Sequence, residues 1–314
     1  MADHGFTGWV AAMKRSGTAG GGLSNGAQRN ILSLEVNPSS PRNNSYMNVV
    51  NRGGYPNSVV IGRGSPALQI HTYLKPYNST ATLPGSIGWS DAAFFNSCLG
   101  LGTDNNTDLF DFALNDEIVQ RQYNWGRCGM VELSGSAVSG PIATRLAYNC
   151  RWGDTANGTP ECPYGTTLAS GEVIPAAPTF TTPGYPDAGL AANVIATSIT
   201  GMNAVKSFNV MIIRPQTPQY HFNGDRAPED IVSSQLSGLL TVEQESDAST
   251  VASSTCTINF CTDKTSTTGR FSLSLLLNLD NMVENVIPGI MSTVRTYSLF
   301  DISSGGNPCV FAAY

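Results

Sequence analysis

Gly88-Trp89-Ser90-Asp91-Ala92 comes nearest to a nucleophile elbow, a strand-to-helix turn of the form Gly-x-Ser-x-Gly that thrusts a serine hydroxyl outward. Its last position is alanine, and Ser90 reads instead as a helix N-cap. Asp104-Asn105-Asn106-Thr107-Asp108 opens like a calcium loop. Leu109 then stands where the turn glycine belongs, and Asn115 where a bidentate glutamate would close the site, so the segment reads as a turn. Gly20-Gly21-Gly22 is not followed by the Gly-Lys-Ser/Thr of a phosphate loop. Asp225, Glu229 and Asp230 cluster, as do Glu243, Glu245 and Asp247. Without a second carboxylate at a defined geometry these are solvated acids.

The metal-ligating types are scattered. Cys98, Cys128, Cys150, Cys162, Cys256, Cys261 and Cys309 form no CxxC pair, and His4, His71 and His221 lie far apart, which argues against zinc. Buried reduced thiols are the expectation. Cys150 and Cys162 could close the polar loop between them under oxidising conditions. Asn-x-Ser/Thr triplets at Asn43, Asn78, Asn105 and Asn157 carry little weight without a signal peptide. The sequence therefore predicts no catalytic residue, no cofactor and no metal.

The elements that would position any site are β-like. Residues 67–74 (ALQIHTYL) alternate, with Leu68, Ile70, Thr72 and Leu74 on one face and Tyr73 on the other. Residues 89–101 are the best helix, with Asp91 suiting its N-terminal end and Gly100 and Gly102 stopping it. Short strands are expected over 109–114, 117–123, 127–133 and 142–149, then over 206–214, 235–245, 255–261, 270–280 and 291–300. Phe271, Leu273, Leu275, Leu277 and Leu279 recur at period two, as one buried strand face requires. Residues 14–30 have the glycine-rich composition of a flexible arm. Two short β-like runs, 46–51 and 58–63, make 36–66 a hairpin or loop arm. The chain thus divides into 1–66, an arm and hairpin; 67–150, a first β-rich part; 151–202, a Gly/Pro/Thr-rich insertion or linker; and 203–314, a second β-rich part. Segments 61–74 and 231–244 both set turn residues before an alternating strand, a pattern open to internal duplication or chance.

Only 13% of the 314 residues are charged, about half the usual share. Such a chain covers its surface with hydroxyls, amides or other protein, as a β-rich assembly subunit does. The net charge is −6, and the 17 lysines and arginines form no basic run, which argues against gripping nucleic acid by its phosphates. No stretch approaches the ~20 apolar residues of a membrane helix, and 1–15 has no signal-peptide core, so synthesis in the cytoplasm without membrane insertion is expected.

Four segments in order resemble the tail tube proteins of long-tailed bacteriophages. These are 64–76 (GSPALQIHTYLKP) with the helix at 89–101; 126–148 (GRCGMVELSGSAVSGPIATRLAY); 207–242, where an Arg-Pro turn precedes a Ser-Gly-x-Leu strand; and the alternating strand 270–280. Residues 151–202 have no counterpart in that pattern. The resemblance implies a mainly β fold, a β-sandwich or barrel with one flanking helix, single or duplicated. It implies rings of six subunits, or of three for a duplicated fold, stacked into a hollow tube in the virion tail. DNA would pass through without specific binding. Tape-measure, tail-terminator and distal-tail proteins would be the other partners. Acids on strands or turns, including Glu132, Glu243 and Glu245, are candidates for the lumen wall. Residues 37–64, with Tyr46, Met47, Val49, Val50, Val59 and Val60, are candidates for an arm bridging adjacent rings, the alternative being a hairpin folded back on its own domain. A capsid, cement or decoration protein shares this composition, and a secreted carbohydrate-binding or hydrolytic β protein is the third reading.

Overall fold

The computed structural model describes residues 9–15, 28–31, 33–39, 45–47, 58–60, 65–74, 91–100, 108–115, 120–138, 141–153, 195–220, 228–245, 253–261, 271–287, 290–300 and 309–313. Among them the chain is mainly β with one helix. The strands in chain order begin with β1 (Trp9–Lys14), β2 (Gln28–Ile31), β3 (Ser33–Ser39), β4 (Ser45–Met47), β5 (Ser58–Val60) and β6 (Ala67–Tyr73). After the helix α1 (Ala92–Leu99) come β7 (Leu109–Asn115), β8 (Gln120–Ser136), β9 (Ala143–Asn149), β10 (Trp152–Gly153) and β11 (Ile195–Ile199). The second half holds β12 (Val205–Ile213), β13 (Gln216–Gln219), β14 (Asp230–Ser233), β15 (Ser237–Glu245), β16 (Ser253–Cys261), β17 (Phe271–Ile287), β18 (Ile290–Leu299) and β19 (Cys309–Ala313).

Fifteen of these strands form one antiparallel sheet with the path β11-β16-β17-β18-β15-β12-β8-β7-β1-β2, from which β9, β6 and β3 branch at β8. Two 17-residue strands make the branching possible. The first half of β8 pairs with β7, and its second half pairs along the same edge with β12, while β9 takes the opposite edge. In β17 the first residues pair with β19 and the rest, along that edge, with β18, while β16 takes the opposite edge.

Alternation builds the core. Leu68, Ile70 and Thr72 of β6, Phe208, Val210 and Ile212 of β12, Leu240 and Val242 of β15, and Leu273, Leu275 and Leu277 of β17 are all buried. Each large apolar side chain taken from water contributes about 1.5–3 kcal/mol before entropy is counted. The inner faces close on one another. Phe208 of β12 and Phe260 of β16 lie 6.5 Å apart although three strands separate theirs in the sheet. Helix α1 plugs the space between: Phe94 meets Phe110 of β7 at 5.7 Å, and Phe95 stacks on Phe311 of β19 at 4.8 Å.

Several expectations need correction. The helix cap is Asp91, whose carboxylate accepts the Phe94 N–H at 2.8 Å; Ser90 lies outside the described residues. Gly100 ends the helix with φ 63°, and buried Arg214 donates to its carbonyl at 3.2 Å. The strands expected over 117–123 and 127–133 are one strand, β8, which runs on through Trp125 at φ 55°. The Asp111 carboxylate accepts the Trp125 N–H at 3.1 Å, and the Trp125 ring packs 4.9 Å from Trp152, contacts that offset about 1–3 kcal/mol of backbone strain. Both ends of the segment expected as a flexible arm are strand: Lys14 closes β1 and Gln28–Ile31 is β2, with Met13 opposite Gln28. The 151–202 stretch contributes β10 and β11 to the large sheet. Strand β17 continues to Ile287, seven residues past the expected end.

Candidate functional site

The candidate site is a surface rather than a pocket: the face of the sheet turned away from the core. Directly opposite residues in an antiparallel ladder point to the same face. Glu132 on β8 is opposite Met211 on β12, and Met211 is opposite Leu239 on β15. Glu243 and Glu245 follow Leu239 on β15 at steps of two, so all three share this outer face. The sequence carried the signal, since Glu132 sits between buried Val131 and Leu133, and Glu243 between buried Val242 and Gln244.

On the other side of β8, Arg145 of β9 is opposite Glu132, His71 of β6 is opposite Arg145, and Glu35 of β3 is opposite His71. Asp280 of β17 joins the face through the Ser298 hydroxyl, which donates to it at 3.0 Å. Asn209 donates to Glu132 at 2.8 Å and Ser207 to Glu243 at 3.2 Å. Arg145 stands 3.9 Å from Glu132 and donates to Gln69 at 3.1 Å, while His71 Nδ1 lies 3.5 Å from Glu35. Glu35, Glu132, Glu243, Glu245 and Asp280 thus share a face on which Arg145 supplies the guanidinium; Lys206 stands in the bulge at the start of β12. Serines, threonines and asparagines fill the positions between, including Ser134, Thr241, Thr296 and Asn278. The face is rich in acceptors, and a polyanion laid along it meets carboxylates at short range.

Several cations lie inside instead. Lys14 pairs with Asp108 at 2.9 Å, both buried. Arg29 pairs with Asp91 at 2.9 Å. Arg151 lies 4.4 Å from the ring centroids of both Trp125 and Trp152 and donates to the Pro228 carbonyl. Arg15 bonds Asp111 at 2.8 Å; burial pushes the Asp111 carboxyl up, and the Arg15 charge and the Trp125 N–H oppose that. The five described thiols, Cys98, Cys128, Cys150, Cys256 and Cys309, are free and buried, with Cys98 Sγ 3.1 Å from the Tyr148 hydroxyl.

Asp108, read in the sequence as part of a turn, is this buried ion-paired group. Asp230 stands 3.7 Å from Arg127. Among the described residues no group of His, Cys, Asp and Glu could hold a metal ion, and no helix is long and apolar enough to cross a membrane. Tyr46, Met47, Val59 and Val60 lie on the β4–β5 ladder, in which Tyr46 is opposite Val59; their side chains, and all of Val49 and Val50, are outside the described residues. Asn37, Pro38 and Ser39, at the start of the candidate arm 37–64, belong to β3 and pair with Gln69, Leu68 and Ala67.

The sequence reading missed the far end of β17, beyond residue 280, whereas β18 matches the strand expected over 291–300 to within one residue. Met282 and Val283 at that end of β17, and Met291 on β18, are 49%, 48% and 53% exposed. The missed signal was Pro288-Gly289, a turn dipeptide flanked by Ile287 and Ile290. No protein-family model matches the chain, and no curated protein sequence matches it.

Proposed function

We propose that the chain is a structural virion protein, the subunit of stacked rings that form the hollow tail tube of a long-tailed phage and conduct DNA during delivery. The carrying observation is the outer face, where Glu132, Glu243 and Glu245 stand together among hydroxyls and amides. A wall of that kind repels phosphates and lets a duplex slide without sticking. The closed, phenylalanine-filled inner side supports the same reading, since it leaves the strand edges as the surfaces through which subunits meet. The partners are further copies of the chain in rings of six, or of three for a duplicated fold, with tape-measure, tail-terminator and distal-tail proteins at the tube's interior and ends.

Negative-stain electron microscopy of the purified full-length protein tests this directly. Tubes of uniform width with a stain-filled channel are expected. Closed shells, or particles that bind only to preformed capsids, would replace this reading with a capsid or cement role. Turnover in a hydrolase and nuclease panel that co-purifies with the protein would overturn a purely structural role.

A further inference from the structure

The core-facing side of β18 carries a polar column. Thr293, Arg295 and Tyr297 follow one another at steps of two, and all three are buried. On β15, Val242 is opposite Arg295 and Gln244 is opposite Thr293, both buried. On β17, Met282 is opposite Arg295 and Glu284 is opposite Thr293, both exposed. Arg295 therefore stands where the core meets water, itself 4% exposed. Its Nη1 donates to Gln244 Oε1, and Gln244 Nε2 donates in turn to the Asn203 carbonyl at 2.9 Å. These bonds hold one corner of the guanidinium. Its Nε–Nη2 edge makes no hydrogen bond among the described residues, and Nε is sealed from solvent. Lys14, Arg15, Arg29, Arg127 and Arg145 each stand beside a carboxylate. Arg295 has no such partner among the described residues. Thr293 Oγ1 and the Tyr297 hydroxyl, on either side along the strand, are also buried without a hydrogen bond. A neutral group can serve a hydroxyl, but only an anion offsets a buried guanidinium.

We propose that Arg295, with Thr293 beside it, forms a binding site for a small oxyanion that presents two oxygens, a carboxylate or a phosphate. The Nε–Nη2 edge of a guanidinium carries two parallel N–H groups, which meet two such oxygens at once. Gln244 already holds the opposite corner, so little further order is lost on binding. Thr293 supplies the second donor: two residues along a strand span ~7 Å, within the reach of an arginine side chain. Burial leaves the attraction less screened than at an exposed cation. It also selects for a small ion. A duplex would have to bring its phosphates past Met282 and the Glu284 carboxylate on a chain of net charge −6, whereas a free ion does not carry that bulk. Glu284 is the chain's own rival for the site, since it lies on the same face, but it is exposed and makes no ion pair with Arg295. The site goes beyond the tube reading, since it requires neither a ring nor DNA.

The test titrates full-length protein with sodium phosphate, and separately with sodium acetate, by isothermal calorimetry. The buffer holds about 0.15 M sodium chloride, which screens attraction to exposed cations. Saturable binding of one ion per chain, with a dissociation constant of about 1 mM or tighter, is expected for at least one of the two. Arg295→Met fills the space without the charge and should weaken that binding at least tenfold. Arg295→Lys keeps the charge but loses the two-pronged edge, and should fall between the two. If Arg295→Met loses its fold, Thr293→Val takes its place, with a weakening of about tenfold expected from the lost hydroxyl. Proton–nitrogen NMR gives a second readout: the Arg295 Nε–H signal, assigned by its loss in Arg295→Lys, should move as the ion is added. Absence of saturable binding by either ion up to about 10 mM would overturn the proposal, as would equal binding by wild type and Arg295→Met. Binding that appears only in Glu284→Gln would show that the chain's own carboxylate takes the guanidinium, and would overturn it too. None of these results bears on whether the chain forms tubes.

Discussion

Cys256 and Cys309 lie in the core, and burial pushes both thiols up to about 12 from an ordinary value near 9; at Cys309 the Arg214 charge opposes this. Burial likewise raises Cys150 and the phenols of Tyr148 and Tyr297. A raised acid leaves the folded state protonated after the unfolded chain has begun to ionise. The stability tied to Cys256 and Cys309 is therefore whole below about 9, falls as the pH climbs, and is gone above about 12. The urea midpoint should decline steadily across that window, and the double variant Cys256→Val, Cys309→Val should decline less steeply. A midpoint that is flat across the window would refute the assignment. The thiolate is the reactive form, and five of the seven thiols are buried. An aromatic disulfide reagent should accordingly modify at most two thiols per folded chain at neutral pH, and all of them in denaturant.

At the scale of elements, α1 is held at both ends and along its side. Asp91 caps it and pairs with buried Arg29 of β2, while Arg214 after β12 holds the Gly100 carbonyl. The Asn96 side chain donates to the Phe311 carbonyl at 2.8 Å and accepts the Phe311 N–H at 3.1 Å, acting as a strand partner for β19. Asp91→Ala removes both the cap and the Arg29 contact, and should lower stability by about 2 kcal/mol or more. Asp91→Asn keeps an acceptor for the cap and should cost roughly half of that. Urea unfolding measures both, and a loss under about 0.5 kcal/mol for the alanine variant would mean that the helix is held by packing alone.

For the whole molecule, the outer face ties the tube reading to charge. Glu132→Lys, Glu243→Lys and Glu245→Lys together would turn the centre of that face basic. Wild-type protein should not retain duplex DNA on a native gel at low salt. The triple variant should retain it, with binding that weakens steeply as salt rises. Equal retention by the two proteins would show that the face does not meet DNA as proposed.

Much of the fold follows from local pattern. Period-two alternation places Leu68, Ile70 and Thr72 on one side of β6 and Leu273, Leu275 and Leu277 on one side of β17, because a strand shows alternate residues to opposite faces wherever it pairs. The helix is legible too, from its glycine stop at Gly100 and the acid at its N-terminal end, although the cap falls on Asp91 where the sequence pointed to Ser90. Alternation also put each of Glu132 and Glu243 opposite its buried neighbours, yet their meeting on one face depends on β8, β12 and β15 being adjacent in this register, and strand order is not a property of any local window. The continuity of β8 through Trp125 escaped the sequence because a left-handed non-glycine residue is tolerated only once Asp111, Arg151 and Trp152, distant in the chain, are in place around it. The same holds for Lys14 and Asp108, polar in sequence and buried in fact, since only tertiary pairing makes their burial affordable. How far β17 runs past Asn278 without β16 beside it is set by the end of β16, a neighbouring strand, rather than by residues 279–287 themselves.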